Sequence, residues 1–240
     1  MRIRPSAFDT ETLGLRVGKV TVHGLDRQLV ELLRSELIVS DLDVAFVRDT
    51  NFQFERVSEL PWTHLELADV KLQLAHPAAA APPDVRADFL VVQDIAAGDG
   101  PALTAMAHSI ARLSRFHRCF GEAAAFRVYE TWLRNSLDRR AADWCFVARH
   151  TATGDAAGLM SVKRDGASAD LAMVATAQSY RGRGVLKLMS STVLRFLQGE
   201  GITRCTVATQ ISNRSALSAY QALGFVVEGT LVDFHMSRGQ

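Results

Sequence analysis

Cysteine is scarce in this sequence: three residues in 240, Cys119, Cys145 and Cys205. An odd, widely spaced set suits neither a disulfide framework nor a zinc knuckle, so all three read as small buried apolar residues, and no metal site is expected. An excess of one charge sign is missing too. The 27 Lys and Arg stand against 26 Asp and Glu, a net charge of +1. Nucleic acid and anionic membranes draw a clear basic excess, so neither is expected as a partner. No run of about eighteen uncharged apolar residues occurs that could span a bilayer, and the opening MRIRPSAFDTETLG has no apolar signal-peptide core. A cytoplasmic protein is the expectation. Internal repeats of the solenoid kind are absent as well.

Proline is rare, yet three of the six fall in the segment His76–Ala87, beside a run of alanines. Such a stretch interrupts apolar periodicity and reads as a linker, which divides the chain into a smaller α/β subdomain over residues 1–81 and a larger domain over 82–240. Before the linker, RVGKVTV, DVAFVRD and HLELADVKLQLAH alternate as strands do, and DRQLVELLRSEL carries leucines at helical spacing. After it come a strand (DFLVVQDI), two helices (ALTAMAHSIARLS and EAAAFRVYETWLRNSLDRR) and three strands joined by Gly/Asp turns over residues 144–176. VLKLMSSTVLRFLQGEG then aligns Leu186, Met189, Val193 and Leu197 on one helical face and stops at Gly199 or Gly201. TRCTVATQ is a strand, Asn213 can cap the helix RSALSAYQAL, Gly224 ends it, and FVVEGTLVDFHMSR reads as a closing hairpin.

Between the last strand of the trio and the amphipathic helix lies TAQSYRGRGVLKLMSS. A strand running through RGRG into a helix offers backbone N–H groups that have no helical acceptor, at an end where the macrodipole adds about half a positive charge. Phosphate oxygens are natural guests there. Gly182 and Gly184 let an anion approach the main chain without a Cβ in the way, and Arg181 and Arg183 can add charge-assisted hydrogen bonds. A nucleotide P-loop is excluded, because Lys187 is followed by Leu188 and not by a hydroxyl residue. A dinucleotide fingerprint fits badly: Lys187 stands where the third glycine belongs, and no acidic residue ends the next strand. A plain Gly-rich turn with solvated arginines is the bland alternative.

Downstream residues favour one reading. Arg181-x-x-Gly184, followed by NRSALSAYQALGF with Asn213, Tyr220 and Gly224, resembles the two hallmark segments of the GCN5-related N-acetyltransferase superfamily. The resemblance covers about Asp88 to Arg238. It implies a mixed, mostly antiparallel sheet flanked by helices, with acetyl-coenzyme A as co-substrate. Arg181, Gly182, Arg183, Gly184, Val185 and Leu186 would then hold the pyrophosphate. The preceding strand would bulge and part from its neighbour, so that Val174, Ala175 and Thr176 meet the pantetheine arm and the thioester carbonyl. Tyr220 falls at the family's general-acid position, and its phenol suits a thiolate leaving group. Asn213 falls where the cofactor arm is often contacted, although a helix cap explains it equally well. Leu186 departs from the pattern, which has glycine or alanine there. The general base is not singled out among His117, Asp138, Glu66, Asp69 and Glu228, and a chain of waters serves as well.

FDTETLGLRVGKVTV with the leucine helix after it, LELADVKLQL, and SRFHRCFG…YETWLRNSL further resemble bacterial TDP-fucosamine N-acetyltransferases. That likeness implies a nucleotide-linked 4-amino-4,6-dideoxyhexose as the amine, with Arg115, Phe116, His117 and Glu66 near the acceptor, and a homodimer as one possible assembly. An ordinary helix pair with a wet basic face is the alternative for this segment. Two other functions stay open: transfer to a small non-sugar amine or a protein amine, and a non-catalytic acyl-coenzyme A sensor.

Overall fold

The computed structural model describes residues 2–77, 80, 82–85, 87–93 and 95–238, with Arg56 through its backbone alone. Two compact units share the chain: one formed by Met1–Leu72, Ser114–Val128 and Gly229–Gln240, the other by Gln73–Leu113 and Tyr129–Glu228. Each is mixed α/β. No described helix is long and apolar enough to cross a membrane.

The first unit orders its strands β1-β2-β3-β10-β4, from β1 (Arg4–Pro5), β2 (Val17–Val22), β3 (Val44–Asp49), most of β10 (Val226–Ser237) and the first part of β4 (Leu65–Pro77). Helix α1 (Ala7–Leu13) precedes β2, and α2 (Arg27–Val39) links β2 to the parallel β3. Asp26 caps α2 by accepting the Leu29 N–H, and Val30, Leu33 and Leu37 turn inward at helical spacing. They pack with Val20, Val47 and Phe234 in one core cluster. The short α1 was not read from the sequence.

The second unit runs β4-β9-β8-β7-β6-β5. Strands β5 (Phe89–Val92), β6 (Trp144–His150), β7 (Ala156–Asp165) and β8 (Ser168–Thr176) are antiparallel neighbours, whereas β8 and β9 (Arg204–Gln210) run parallel across α5 (Val185–Gly199). Helix α3 (Gly100–Ala111) and the second part of α4 (Arg115–Leu137, broken at Gly121) cover Leu159, Met173 and Ala175 through Leu103, Met106 and Leu133. Helix α5 buries Met189, Val193 and Leu197, as its spacing predicts, and Gly201 takes the left-handed conformation just beyond its end. Helix α5 also lies tight on β7: a Cβ at Gly158 would stand 2.6 Å from the Met189 sulfur and 2.7 Å from Val185 Cγ1. Helix α6 (Arg214–Gln221) follows β9.

The closing hairpin does not form. Val226–Ser237 is one continuous strand, and Gly229 has none of the positive φ that a tight hairpin turn draws from glycine. The proline-rich segment lies partly outside the described residues. Of what is described, the Pro83 carbonyl accepts from the Ser191 hydroxyl at 2.7 Å and from Arg195, which fastens the segment to α5.

Candidate active site

The strand pair β8/β9 positions the site. Its register runs from Ser168↔Arg204 to Leu171↔Val207 and stops, although β8 continues to Thr176 and β9 to Gln210. Along the other edge of β8 the register with β7 jumps from Ser161↔Met173 to Val162↔Leu171, leaving Ala172 as an extra residue. This is a β-bulge, which bends the strand and raises its twist. The Met173 N–H donates to the Ser161 hydroxyl at 3.1 Å, so the irregularity is satisfied from inside the sheet.

Strand alternation then assigns the free groups. Met173 and Ala177 direct their N–H groups at β7, Ala177 reaching the Ala157 carbonyl at 2.9 Å. With a period of two, Val174 and Thr176 turn their main-chain groups the other way, where β9 has already left. Ala175 is buried and faces β7, so of the three residues expected to meet an acyl carrier, the half-buried Val174 and Thr176 turn their main-chain groups to the edge that β9 leaves.

The glycine-rich turn follows directly. Gly182 and Gly184 have φ of 77° and 80°, and a Cβ added to either would meet open space. Gly184 is the N-cap of α5 and provides no side-chain cap. The first helical bond runs from Leu188 N–H to the Gly184 carbonyl at 2.9 Å, so the N–H groups of Val185, Leu186 and Lys187 have no helical acceptor. Leu186 is half-buried on the helix. Arg181 reaches back to the Thr176 carbonyl at 3.4 Å, and the Arg183 guanidinium lies 5.5 Å from the Tyr180 ring centroid. Tyr180, which sequence reading passed over, donates to Asp155 at 2.6 Å and steadies the turn. An anion at this end would meet backbone donors, two arginines and no side-chain obstruction.

On α6, Asn213 caps the helix by accepting the Ala216 N–H at 3.3 Å, and its amide donates to Thr209. Tyr220 is 2% exposed and packs on Phe225 at 5.3 Å. Burial, with lesser contributions from Cys205 and Asp170, pushes its phenol well above the ordinary range, so it holds its proton at neutral pH.

The residues expected near an acceptor fall in the first unit. Arg115 is folded inward: its guanidinium pairs with Asp233 at 2.7 Å and lies over the rings of Phe46 and Phe116. Asp233 is also held by Arg48 at 2.6 Å and Lys71 at 3.0 Å. Its burial favours the neutral acid, but the three cations win and keep the carboxyl far below its ordinary value. His117 is half-buried, while Glu66 is exposed and accepts from the Cys119 thiol at 3.5 Å. Cys119 is thus not a plain core residue, unlike the buried Cys145 and Cys205. Among the other candidate bases, Asp69 pairs with Lys71, Glu228 with Arg204 and Asp138 with Arg140.

A bulged strand that parts from a parallel neighbour and is followed by a glycine-led helix is the local geometry to compare with known proteins. Residues 110–225, a little under half of the chain, match the model of the acetyltransferase (GNAT) family. The chain is 31% identical over 134 residues to the dTDP-fucosamine acetyltransferase of Escherichia coli O6:H1, covering 55% of this chain and 57% of that protein. It is 26% identical over 95 residues to the N-alpha-acetyltransferase MAK3 of Arabidopsis thaliana, covering 39% of this chain and 50% of that protein. The chain therefore spans about half the length of these relatives. Among solved structures, a GCN5-related N-acetyltransferase from Sphaerobacter thermophilus aligns with a TM-score of 0.61 at 13% identity, over 89% of this chain and 68% of that one. A conserved protein of unknown function from Staphylococcus epidermidis aligns with a TM-score of 0.63 at 12% identity, over 98% and 91%. These likenesses establish the fold.

Proposed function

We propose that this chain is an N-acetyltransferase that carries acetyl from acetyl-coenzyme A directly to the amine of a nucleotide-linked amino sugar such as a TDP-4-amino-4,6-dideoxyhexose, in the cytoplasm. The observation that carries the acetyl-coenzyme A part is the parting of β8 from β9 after Leu171 and Val207, with the N-terminus of α5 at the end of the opened edge. An extended amide-bearing arm can pair with Val174 and Thr176 as an added strand would. Its pyrophosphate would then meet the N–H groups of Val185 to Lys187, with Arg181 and Arg183 alongside.

Acetyl-coenzyme A supplies an acetyl thioester. One strand N–H, at Val174 or Thr176, would stabilise the carbonyl oxygen as it gains charge, a contribution of about 3 kcal/mol for a well-aimed donor. The amine nitrogen bonds to the carbonyl carbon and gives up a proton to water, the carbon–sulfur bond breaks, and the departing sulfur takes a proton from a donor that water then reprotonates. Tyr220 is the donor in this reading, because it falls at the position that the resemblance gives to the general acid.

The sugar part rests on the 31% identity to an enzyme named for dTDP-fucosamine. The measurement that tests it is free-thiol release from acetyl-coenzyme A across a panel of TDP-4-amino sugars, polyamines and peptide N-termini. Turnover on an amino sugar at least tenfold above every other amine is the expected result. Preference for a peptide or polyamine would replace the sugar, and coenzyme A binding without thiol release for any amine would make the protein a sensor.

A further inference from the structure

The first unit holds a second group of chemically active side chains, of which only Glu66 figures among the expected acceptor-side residues. Glu66, Cys119 and His235 come from β4, the start of α4 and β10, and the ligand atom each offers lies within 4.8 Å of the other two. The Glu66 carboxylate and the Cys119 sulfur are already 3.5 Å apart. All three line one pocket of about 310 Å³, together with Trp62, His64 and Phe120.

His235 is the second and independent observation. It is 5% exposed, and neither ring nitrogen has a hydrogen-bond partner among the described residues. A buried imidazole with both nitrogens unpaired forfeits the hydrogen bonds it would make in water, so such a group calls for an absent ligand. The ring is fixed rather than free. It stacks on Phe46 at 4.5 Å and packs on Phe120 at 5.2 Å, and as a lining residue it borders the same pocket as the carboxylate and the thiol.

We propose that Glu66, Cys119 and His235 form a zinc site, holding the ion through one carboxylate oxygen, the thiolate and one ring nitrogen, with a fourth position open to the pocket. A sulfur, nitrogen and oxygen set suits a borderline-soft ion; magnesium and calcium prefer oxygen alone. Zinc bonds at about 2.0–2.3 Å place neighbouring ligand atoms roughly 3.3–3.8 Å apart, so contraction by about 1 Å closes the set. Binding forms the sulfur–zinc bond and releases the thiol proton to buffer. The thiolate and the carboxylate then cancel the two charges of the ion, which makes the site neutral beside the Arg115 and Arg118 charges that act on His235. Exposed Glu66 and Trp62 at the rim give the ion its entry path.

Metal-stripped full-length protein titrated with cobalt(II), a spectroscopic stand-in for zinc, tests this. One equivalent should produce a thiolate-to-cobalt charge-transfer band, and one equivalent of zinc should abolish it. Cys119→Ala should lose the band, and Glu66→Gln, at an exposed position, should weaken cobalt and zinc affinity about tenfold or more while keeping the metal-free circular dichroism and Tm. Absence of the band at saturating cobalt, its survival in Cys119→Ala, or unchanged affinity in Glu66→Gln would overturn the site. The Glu66 variant decides the matter even where Cys119→Ala does not fold.

Discussion

The Met173 N–H and the Ser161 hydroxyl meet at 3.1 Å inside the sheet, at the step where β8 slips one residue past β7. That bond stands in for the ladder bond the bulge removes. Ser161→Ala would leave a buried N–H unpaired, at a cost of about 1–3 kcal/mol. Urea unfolding should show the loss, and calorimetry should show weaker coenzyme A binding, because the bulge orients Val174 and Thr176. Wild-type stability in the variant would mean that the strand finds another acceptor.

Gly184→Val tests the turn. At φ 80° a β-branched residue is strained by about 1–2 kcal/mol, and the open space around Gly184 means that the cost is conformational rather than steric. The expected outcome is a modest fall in Tm with at least a tenfold loss of coenzyme A affinity. An unaltered dissociation constant would put the pyrophosphate elsewhere.

Tyr220→Phe removes one oxygen and keeps the packing on Phe225. If the phenol protonates the departing sulfur, kcat should drop by about 10²-fold or more with little change in the coenzyme A dissociation constant. Equal turnover in the two proteins would return Tyr220 to the core.

Asp233 governs acid stability in the first unit. Because its folded-state pKa is depressed, its contribution is fully present above the ordinary value of 3.8 and is lost as pH falls through the lower folded value. Asp233→Asn should lose about 3–5 kcal/mol at pH 7, since Arg48, Lys71 and Arg115 are left around an uncharged group. The gap to wild type should shrink steadily below pH 4, as chemical denaturation at a series of pH values would show. A pH-independent difference would mean that packing, not charge, is what the aspartate supplies.

Local signals were enough for the elements that frame the candidate active site. The spacing of Met189, Val193 and Leu197 gives α5, the Asn213 cap gives α6, and RGRG gives a turn with two left-handed glycines. What escaped depends on residues far apart in the chain. Asp233 meets Arg48 across 185 positions and Cys119 meets Glu66 across 53, and no local pattern records either pairing. FVVEGTLVDFHMSR reads as a closing hairpin, but pairing with β3 holds Val232–Ser237 in one extended strand, and tertiary context overrides the local preference. Cys119 was grouped with the two buried cysteines because composition does not distinguish a thiol beside a carboxylate from one in a core.

Strand β10 also sets the order in which the molecule can be completed. In the first unit it lies between β3 and β4, yet in the chain it follows every other strand of both units. Residues 1–72 must therefore wait, with the β3 and β4 edges unpaired, until Gly229–Ser237 arrives, whereas every strand of the second unit has been synthesised by then. A chain interrupted after Glu228 would hold every strand of the second unit and leave β3 and β4 of the first without the strand that joins them.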